Sequence, residues 1–129
     1  MAADPSFAAT ARASSALPTT ADTSLTAPTN QVTVLTPGAA GSKVEEIVCQ
    51  GVGTSVAGVV NIFIYDGSTY HLFDQFLITA VTPSTTAVAF RLARKYDNLF
   101  IPAGYTLRAS QSIAGNASII KVTALGGDF

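Results

Sequence analysis

The chain has 129 residues, of which 12% are charged, and its formal net charge is −1. The length suits one domain with its own apolar core. With seven Lys and Arg residues in all, the composition excludes the dense positive charge that a phosphate-binding groove for nucleic acid needs. The mean hydropathy is +0.39, yet no apolar stretch approaches the ~18–20 residues that span a membrane. A chain this apolar and weakly charged is expected to be covered by neighbours in an assembly.

The first 30 residues differ in composition from the rest. They are rich in Ala, Ser and Thr, and such a segment cannot bury enough apolar surface to offset the entropy cost of its own ordering. Its only larger apolar side chains are Met1, Phe7, Leu17 and Leu25. We therefore expect residues 1–30 to be an extended arm that docks on neighbouring subunits. The alternative is a flexible tail that binds no partner. Residues 31–129 are expected to fold without the arm.

From residue 31 onward, short apolar stretches alternate with Gly, Pro and Asn turns, which is typical of β-strands. The predicted strands are residues 31–36, 43–52, 59–66, 69–79, 87–93, 98–101, 105–110 and 117–125. Asp66-Gly67 predicts a tight hairpin, because both residues tolerate positive φ. The pattern indicates an all-β fold, an antiparallel β-sandwich of about eight strands that is jelly-roll-like. An immunoglobulin-like sandwich is the alternative.

Residue types that carry catalysis or bind metals are sparse. His71 is the only histidine and Cys49 the only cysteine, and the two cannot supply the ligand set of a zinc site. Cys49 lies in an apolar stretch and is expected to be a small buried side chain. A carboxylate calcium site at Asp66 or Asp97 is the less favoured alternative. We predict no catalytic residue, no cofactor site and no metal site.

Paired carboxylates could mark a glycosidase, and Glu45 and Glu46 are adjacent in the sequence. Successive side chains of a strand point to opposite faces. We therefore expect that these two cannot form the facing carboxylates of a glycosidase.

Tyr65 and Tyr70 flank the predicted hairpin. An exposed tip with two tyrosines could stack on a sugar ring. A cross-strand packing pair is the favoured interpretation.

The run IYDGSTYHLFDQFLITAVTPSTTAVAF, the segment LFIPAGYTLRAS and the terminal ALGGDF resemble small structural proteins of tailed bacteriophages. The likeness covers residues 44–129 and is to head decoration (cement) proteins and to the virion proteins found beside them. It implies a β-sandwich subunit, often a homotrimer, that clamps the outer capsid surface between hexamers and pentamers. The implied partner is the major capsid protein, and the implied location is the capsid surface of a virion assembled in the host cytoplasm.

The leading hypothesis is thus a non-enzymatic capsid decoration protein that bridges capsid subunits and binds neither nucleic acid nor membrane. The residues expected to contact partners are Phe7, Leu17, Leu25 and Phe129. The alternative is a phage tail, fibre or baseplate module that recognises a host-surface glycan through the hairpin at residues 66–69. An enzyme is the least favoured class.

Overall fold

The structure, a computed structural model, describes residues 10–129 as eight β-strands in two sheets. The strands are β1 (Thr10–Ala16), β2 (Val32–Leu35), β3 (Ser42–Gly51), β4 (Gly58–Tyr65), β5 (Tyr70–Ile78), β6 (Arg91–Ile101), β7 (Thr106–Gln111) and β8 (Ile120–Asp128). Sheet A has the order β1-β8-β3-β6, and sheet B has the order β2-β7-β4-β5. Every pair is antiparallel. The predicted eight-stranded antiparallel β-sandwich is confirmed.

The pairing scheme is that of a jelly roll. β1 pairs with β8, β2 with β7, β3 with β6 and β4 with β5. The chain is therefore one long antiparallel ribbon that folds over on itself to give two four-stranded sheets. This order distinguishes a jelly roll from an immunoglobulin-like sandwich.

The first strand lies inside the segment that was expected to be a separate arm. β1 pairs with β8 along its whole length, from Thr10 opposite Asp128 to Ala16 opposite Val122. The sandwich therefore begins before residue 31. The expected division into an arm (residues 1–30) and a sandwich (residues 31–129) differs from this arrangement, because β1 is a strand of sheet A. The physical reason is that a strand of small residues can join a sheet edge through its backbone hydrogen bonds, without large apolar side chains of its own.

The number of predicted strands agrees with the structure for a partly wrong reason. β1 has no counterpart among the predicted strands. Residues 91–93 and 98–101, which were predicted in two separate strands, belong to one, β6, whereas residues 87–90 of the predicted strand lie in the preceding loop. The expected gap between the two predicted strands covers residues 94–97. In the structure, the register between β3 and β6 shifts at this point, and the strand continues.

The core lies between the sheets. Its largest fully buried side chains include Ile47, Ile62, Phe76, Ile101, Leu107 and Ile120. On β4, Ile62 belongs to this core, and the next residue, Phe63, points to the outer face of sheet B. Phe63 is nevertheless fully buried and packs edge-on against Tyr70, with ring centroids 6.0 Å apart. β4 is therefore a central strand, between β7 and β5, and it is buried on both faces.

The loops gather at the two ends of the sandwich. One end carries the turns at residues 36–41, 66–69 and 102–105, where Gly67 and Gly104 adopt positive φ. The other end carries the connections at residues 17–31, 52–57, 79–90 and 112–119. In the described part of the chain, no helix has the length and apolar character needed to cross a membrane.

Candidate interaction surface

The β4–β5 hairpin brings His71 and Asp66 together. The two residues are close in the chain, and their contact lies at the turn of this hairpin. Nε2 of His71 lies 3.0 Å from Oδ2 of Asp66, whose Oδ1 accepts hydrogen bonds from the backbone N–H groups of Ser68 and Thr69. The bond to His71, followed by those backbone bonds, holds the pKa of Asp66 well below its ordinary value. All of these contacts are local, so the arrangement stabilises a turn. Within residues 10–129, no three His, Cys, Asp or Glu residues are grouped as metal ligands.

The two tyrosines beside this hairpin pack on each other. The rings of Tyr65 and Tyr70 are stacked with centroids 4.2 Å apart, and the Arg108 guanidinium lies 4.8 Å from the Tyr65 ring. The favoured interpretation as a cross-strand packing pair is confirmed. These contacts occupy ring surface that a bound sugar would need.

Cys49 is fully buried on β3 and belongs to the core. Burial raises the pKa of its thiol to about 12. The side chain therefore stays protonated at neutral pH and acts as a small apolar residue, as expected.

The expectation that Glu45 and Glu46 face opposite sides of a strand is wrong. Strand β3 shifts register between Val44 and Glu46 against both of its neighbours, and such a bulge breaks the alternation of side chains. Both acidic residues line one shallow depression of about 370 Å³. Its other lining residues are Arg12, Lys95, Leu125 and Gly126. The depression therefore combines two carboxylates with two cationic side chains.

The four residues predicted to contact partners are not brought together. Leu17 is half-buried directly after β1, and Leu25 is exposed in the connection between β1 and β2. Phe129 lies at the opposite end of the sandwich, with its ring 5.8 Å from that of Phe100. Phe7 lies outside the described residues.

A different surface stands out at the end that carries Leu25. The loops at residues 52–57, 79–90 and 112–119 contain no Asp, Glu, Lys, Arg or His. We call these three loops the uncharged end. The sequence carries this signal as three runs without charge, which no motif marks.

Hydrogen bonds join the three loops into one surface. Ser55 and Val81 each donate a backbone N–H to the other's carbonyl, at 2.9 and 3.2 Å. The Asn116 side chain donates to the carbonyl of Val56 and accepts from its N–H, both at 2.9 Å. The uncharged end is thus a connected part of the sandwich.

Large aliphatic side chains project from this end. Val88 is 87% exposed and Val52 is 58% exposed. Val56 and Ile113 are exposed as well. Isolated apolar residues are normal on a protein surface, whereas apolar patches that are poor in charged residues mark contact sites.

The neighbouring β1–β2 connection contains one charge, and that charge is satisfied locally. The Asp22 carboxylate accepts hydrogen bonds from the backbone N–H groups of Ser24, Thr29 and Asn30 at 2.7–2.9 Å. These bonds, that from Asn30 first, lower the pKa of Asp22. The Asp22 N–H also donates to the carbonyl of Gln111 at 2.8 Å, which ties the connection to the end of β7.

Comparison with protein-family models, with curated proteins and with solved structures found no match to this chain.

Proposed function

We propose that this chain is a structural protein of a virus particle, a capsid decoration (cement) protein that stabilises the head by bridging capsid subunits. The observation that carries the proposal is that exposed large apolar side chains occupy several separate regions of one small sandwich. Contiguous apolar patches on a protein surface mark interaction sites, and a cement protein needs several of them.

Three regions are involved. The first is the uncharged end. The second is the middle of β5, where Leu72 and Phe73 are exposed, and the third is the opposite end, with Phe100 and Tyr105. Because these regions face different directions, one subunit could contact several neighbours at the same time.

Burial of such surfaces would supply the stabilisation. Removing apolar area from water contributes about 25 cal/mol per Å², and a standard interface buries about 1,600 Å² in total. Ordering costs reduce this gain, but contacts to several neighbours at once add avidity. The proposed partners are the major capsid protein and further copies of this chain, as a homotrimer. The jelly-roll fold is compatible with the proposal, since viral capsid proteins use it, although lectins and cupins do so too.

The partner contacts proposed from the sequence fit this arrangement in part. Leu25 is exposed beside the uncharged end, and Phe129 packs with exposed Phe100 at the opposite end. Leu17 and Phe7 remain proposed contacts of the N-terminal segment.

The test is the location of the protein in particles. Virus particles produced from the genome that encodes the chain would be purified and analysed by mass spectrometry and by immunogold electron microscopy. We expect the chain in stoichiometric amounts, with gold on the head surface. Particles without the chain would refute the proposal, and gold confined to the tail would refute the head assignment.

A further inference from the structure

We propose that the outer face of sheet A is a docking surface for a protein that exposes carboxylate side chains. The outer face is the side of sheet A that points away from the core. The proposed function does not use this surface, and the inference does not depend on the assignment of the chain to a virus particle.

Three exposed cationic side chains share this face. Leu92 of β6 packs against the core, so Arg91 and Lys95, which alternate with it along the strand, point outward. On β8, Val122 is fully buried in the core, so Lys121 beside it points outward. Arg91, Lys95 and Lys121 are all exposed to solvent.

The strand register gives the spacing of these cations. Arg91 and Lys121 pair with the same residue, Gln50 of β3, from its two sides. Because neighbouring strands lie about 4.8 Å apart, the Cα atoms of Arg91 and Lys121 are about 10 Å apart. Lys95 lies four residues further along β6, at a distance of about 13 Å from Arg91. The three cations therefore form a triangle on a flat face.

The sandwich does not neutralise these three cations itself. Its other cationic residues have partners of their own. Arg108 lies over the ring of Tyr65 and donates a hydrogen bond to Gln31. Within residues 10–129, the ion pairs of Lys and Arg join Arg12 to Asp128, Lys43 to Glu45, and Arg94 to Asp74. None of these pairs includes Arg91, Lys95 or Lys121.

The face has an excess of positive charge. Glu46 pairs in register with Lys95 and lines the same depression, but no ion pair joins the two in the described part of the chain. Glu45, at the same depression, pairs with Lys43 at 3.7 Å. Three cations thus stand against one free carboxylate, and charge complementarity across an interface then calls for a partner that presents carboxylates.

The residues between the cations indicate which class of anionic partner fits. Val48, Ala93 and Thr123 share one row across the three strands at the centre of the triangle. They offer no aromatic ring on which a nucleic-acid base could stack. Three cations are also fewer than the clusters of about four to eight Lys and Arg residues that bind anionic membranes. A flat face with a few separated charges suits a protein surface.

A second copy of this chain is a poor match for the face. Four of its carboxylates already accept hydrogen bonds within their own subunit, namely those of Asp22, Asp66, Asp74 and Asp128. Few carboxylates are therefore left to pair with a neighbouring copy. The expected partner is a different protein, with an acidic surface.

The test measures the binding of an acidic probe. The probe is a fluorescein-labelled peptide of alternating Glu and Ser residues, and the same peptide with Gln in place of Glu is the uncharged control. Fluorescence anisotropy would follow the binding of each peptide to the full-length protein. We expect only the acidic peptide to bind, and we expect added salt to weaken this binding because exposed charges are screened.

Substitutions on the face should weaken binding of the acidic peptide. Arg91→Gln, Lys95→Gln and Lys121→Gln should each raise the Kd by about two- to fivefold, and the triple variant by about tenfold or more. The matched control is Leu77→Glu, which lowers the net charge by one, as Lys121→Gln does, but on the outer face of sheet B. Leu77 is exposed, so this control should keep both the fold and the Kd of the unchanged chain.

Several outcomes would overturn the inference. The acidic peptide does not bind, the triple variant binds it as well as the unchanged chain, or the control weakens binding equally. Tighter binding of single-stranded oligothymidine or of phosphatidylserine vesicles, lost in the triple variant, would assign the face to a nucleic acid or a membrane instead. Self-association in sedimentation velocity that the triple variant abolishes would assign it to a second copy.

Discussion

Asp22 shows how one side chain can order a segment that is poor in apolar residues. Its carboxylate accepts three backbone N–H groups and the Thr29 hydroxyl, and this closes the loop between residues 22 and 30. Asp and Asn side chains commonly replace backbone partners in this way. The loop then leads directly into β2.

Replacing Asp22 with Ala should lower the free energy of unfolding by about 1 kcal/mol, because the hydrogen bonds are charge-assisted but near the surface. Asp22→Asn should cost less, since an amide oxygen can still accept. Urea denaturation of the two variants would measure both values. Equal stability of Asp22→Ala and the unchanged chain would show that the loop does not depend on this carboxylate.

The stability that Asp22 provides should depend on pH. Its pKa in the folded state lies below the ordinary value of 3.8, so the folded state binds the proton more weakly than the unfolded state. The contribution is therefore complete above about pH 4 and is lost as the pH falls through the folded-state pKa. Denaturation curves between pH 2 and pH 6 should show a smaller acid-induced loss for Asp22→Asn than for the unchanged chain. An identical acid-induced loss would contradict this assignment.

Two neighbouring residues of β5 test the inner and outer faces of sheet B. Phe76 is fully buried in the core, whereas Leu77 is 65% exposed. Phe76→Ala should destabilise the protein by about 3–5 kcal/mol through lost burial and a cavity, and Leu77→Ala should change stability by less than about 0.5 kcal/mol. Thermal or urea unfolding would check the difference, and comparable losses for the two variants would contradict the assignment of faces.

At the residue scale, the sequence predicted those features that depend only on residues nearby in the chain. The burial of Cys49 and the pairing of Tyr65 with Tyr70 followed from apolar context and strand alternation. The shared depression of Glu45 and Glu46 did not, because a bulge is set by the register with two other strands. No local pattern encodes that register.

At the scale of elements, side chains link the edges of the two sheets. On one side, Ser14 Oγ donates to the carbonyl of Val34 at 2.7 Å, which joins β1 to β2. On the other side, Asp74 of β5 accepts hydrogen bonds from Arg94 and from the Tyr96 hydroxyl, both on β6. Such contacts help to protect sheet edges from pairing with other chains.

The contact between Tyr96 and Asp74 should contribute measurably to stability. Burial opposes ionisation of Asp74, but the hydrogen bonds from Tyr96 and Arg94 outweigh it and lower the pKa. Tyr96→Phe removes a bond of 2.6 Å and should cost about 1–2 kcal/mol. Chemical denaturation at pH 7 would measure the loss. A stability equal to that of the unchanged chain would show that this hydrogen bond does not help to hold β5 and β6 together.

The first strand offers the sharpest test of the topology. Removal of residues 1–17 deletes β1 and leaves one edge of β8 unpaired, so we expect a lower melting temperature and aggregation. Removal of residues 1–9 keeps all eight strands and serves as the control. Size-exclusion chromatography and thermal unfolding would compare the two truncations. If both melt at the same temperature, β1 does not complete the sandwich.

Strands with alternating apolar residues were predictable, and β1 was not. The sequence Thr-Ala-Arg-Ala-Ser-Ser-Ala at residues 10–16 has no large apolar residue, so neither its composition nor its pattern predicts a strand. This segment forms a strand because it pairs with the edge of β8 that β3 leaves free. β8 is more than one hundred residues away in the chain. Long-range pairing of this kind is invisible to local patterns.

At the scale of the whole molecule, the two ends of the jelly roll differ in how many charged residues their loops carry. The turns at one end carry Asp66 and lie next to His71 and Asp128, whereas three of the loops at the other end carry no charge. This asymmetry results from the fold, which brings together loops that are far apart in sequence. We propose that the uncharged end is one of the contact surfaces between neighbouring subunits.

Hydrogen–deuterium exchange of the purified chain at low and high concentration tests that claim most directly. Peptides that cover residues 52–57, 79–90 and 112–119 should gain protection at high concentration, while the hairpin at residues 66–69 should exchange at the same rate in both samples. Unchanged exchange in the three loops, or protection that appears at the hairpin instead, would contradict the account.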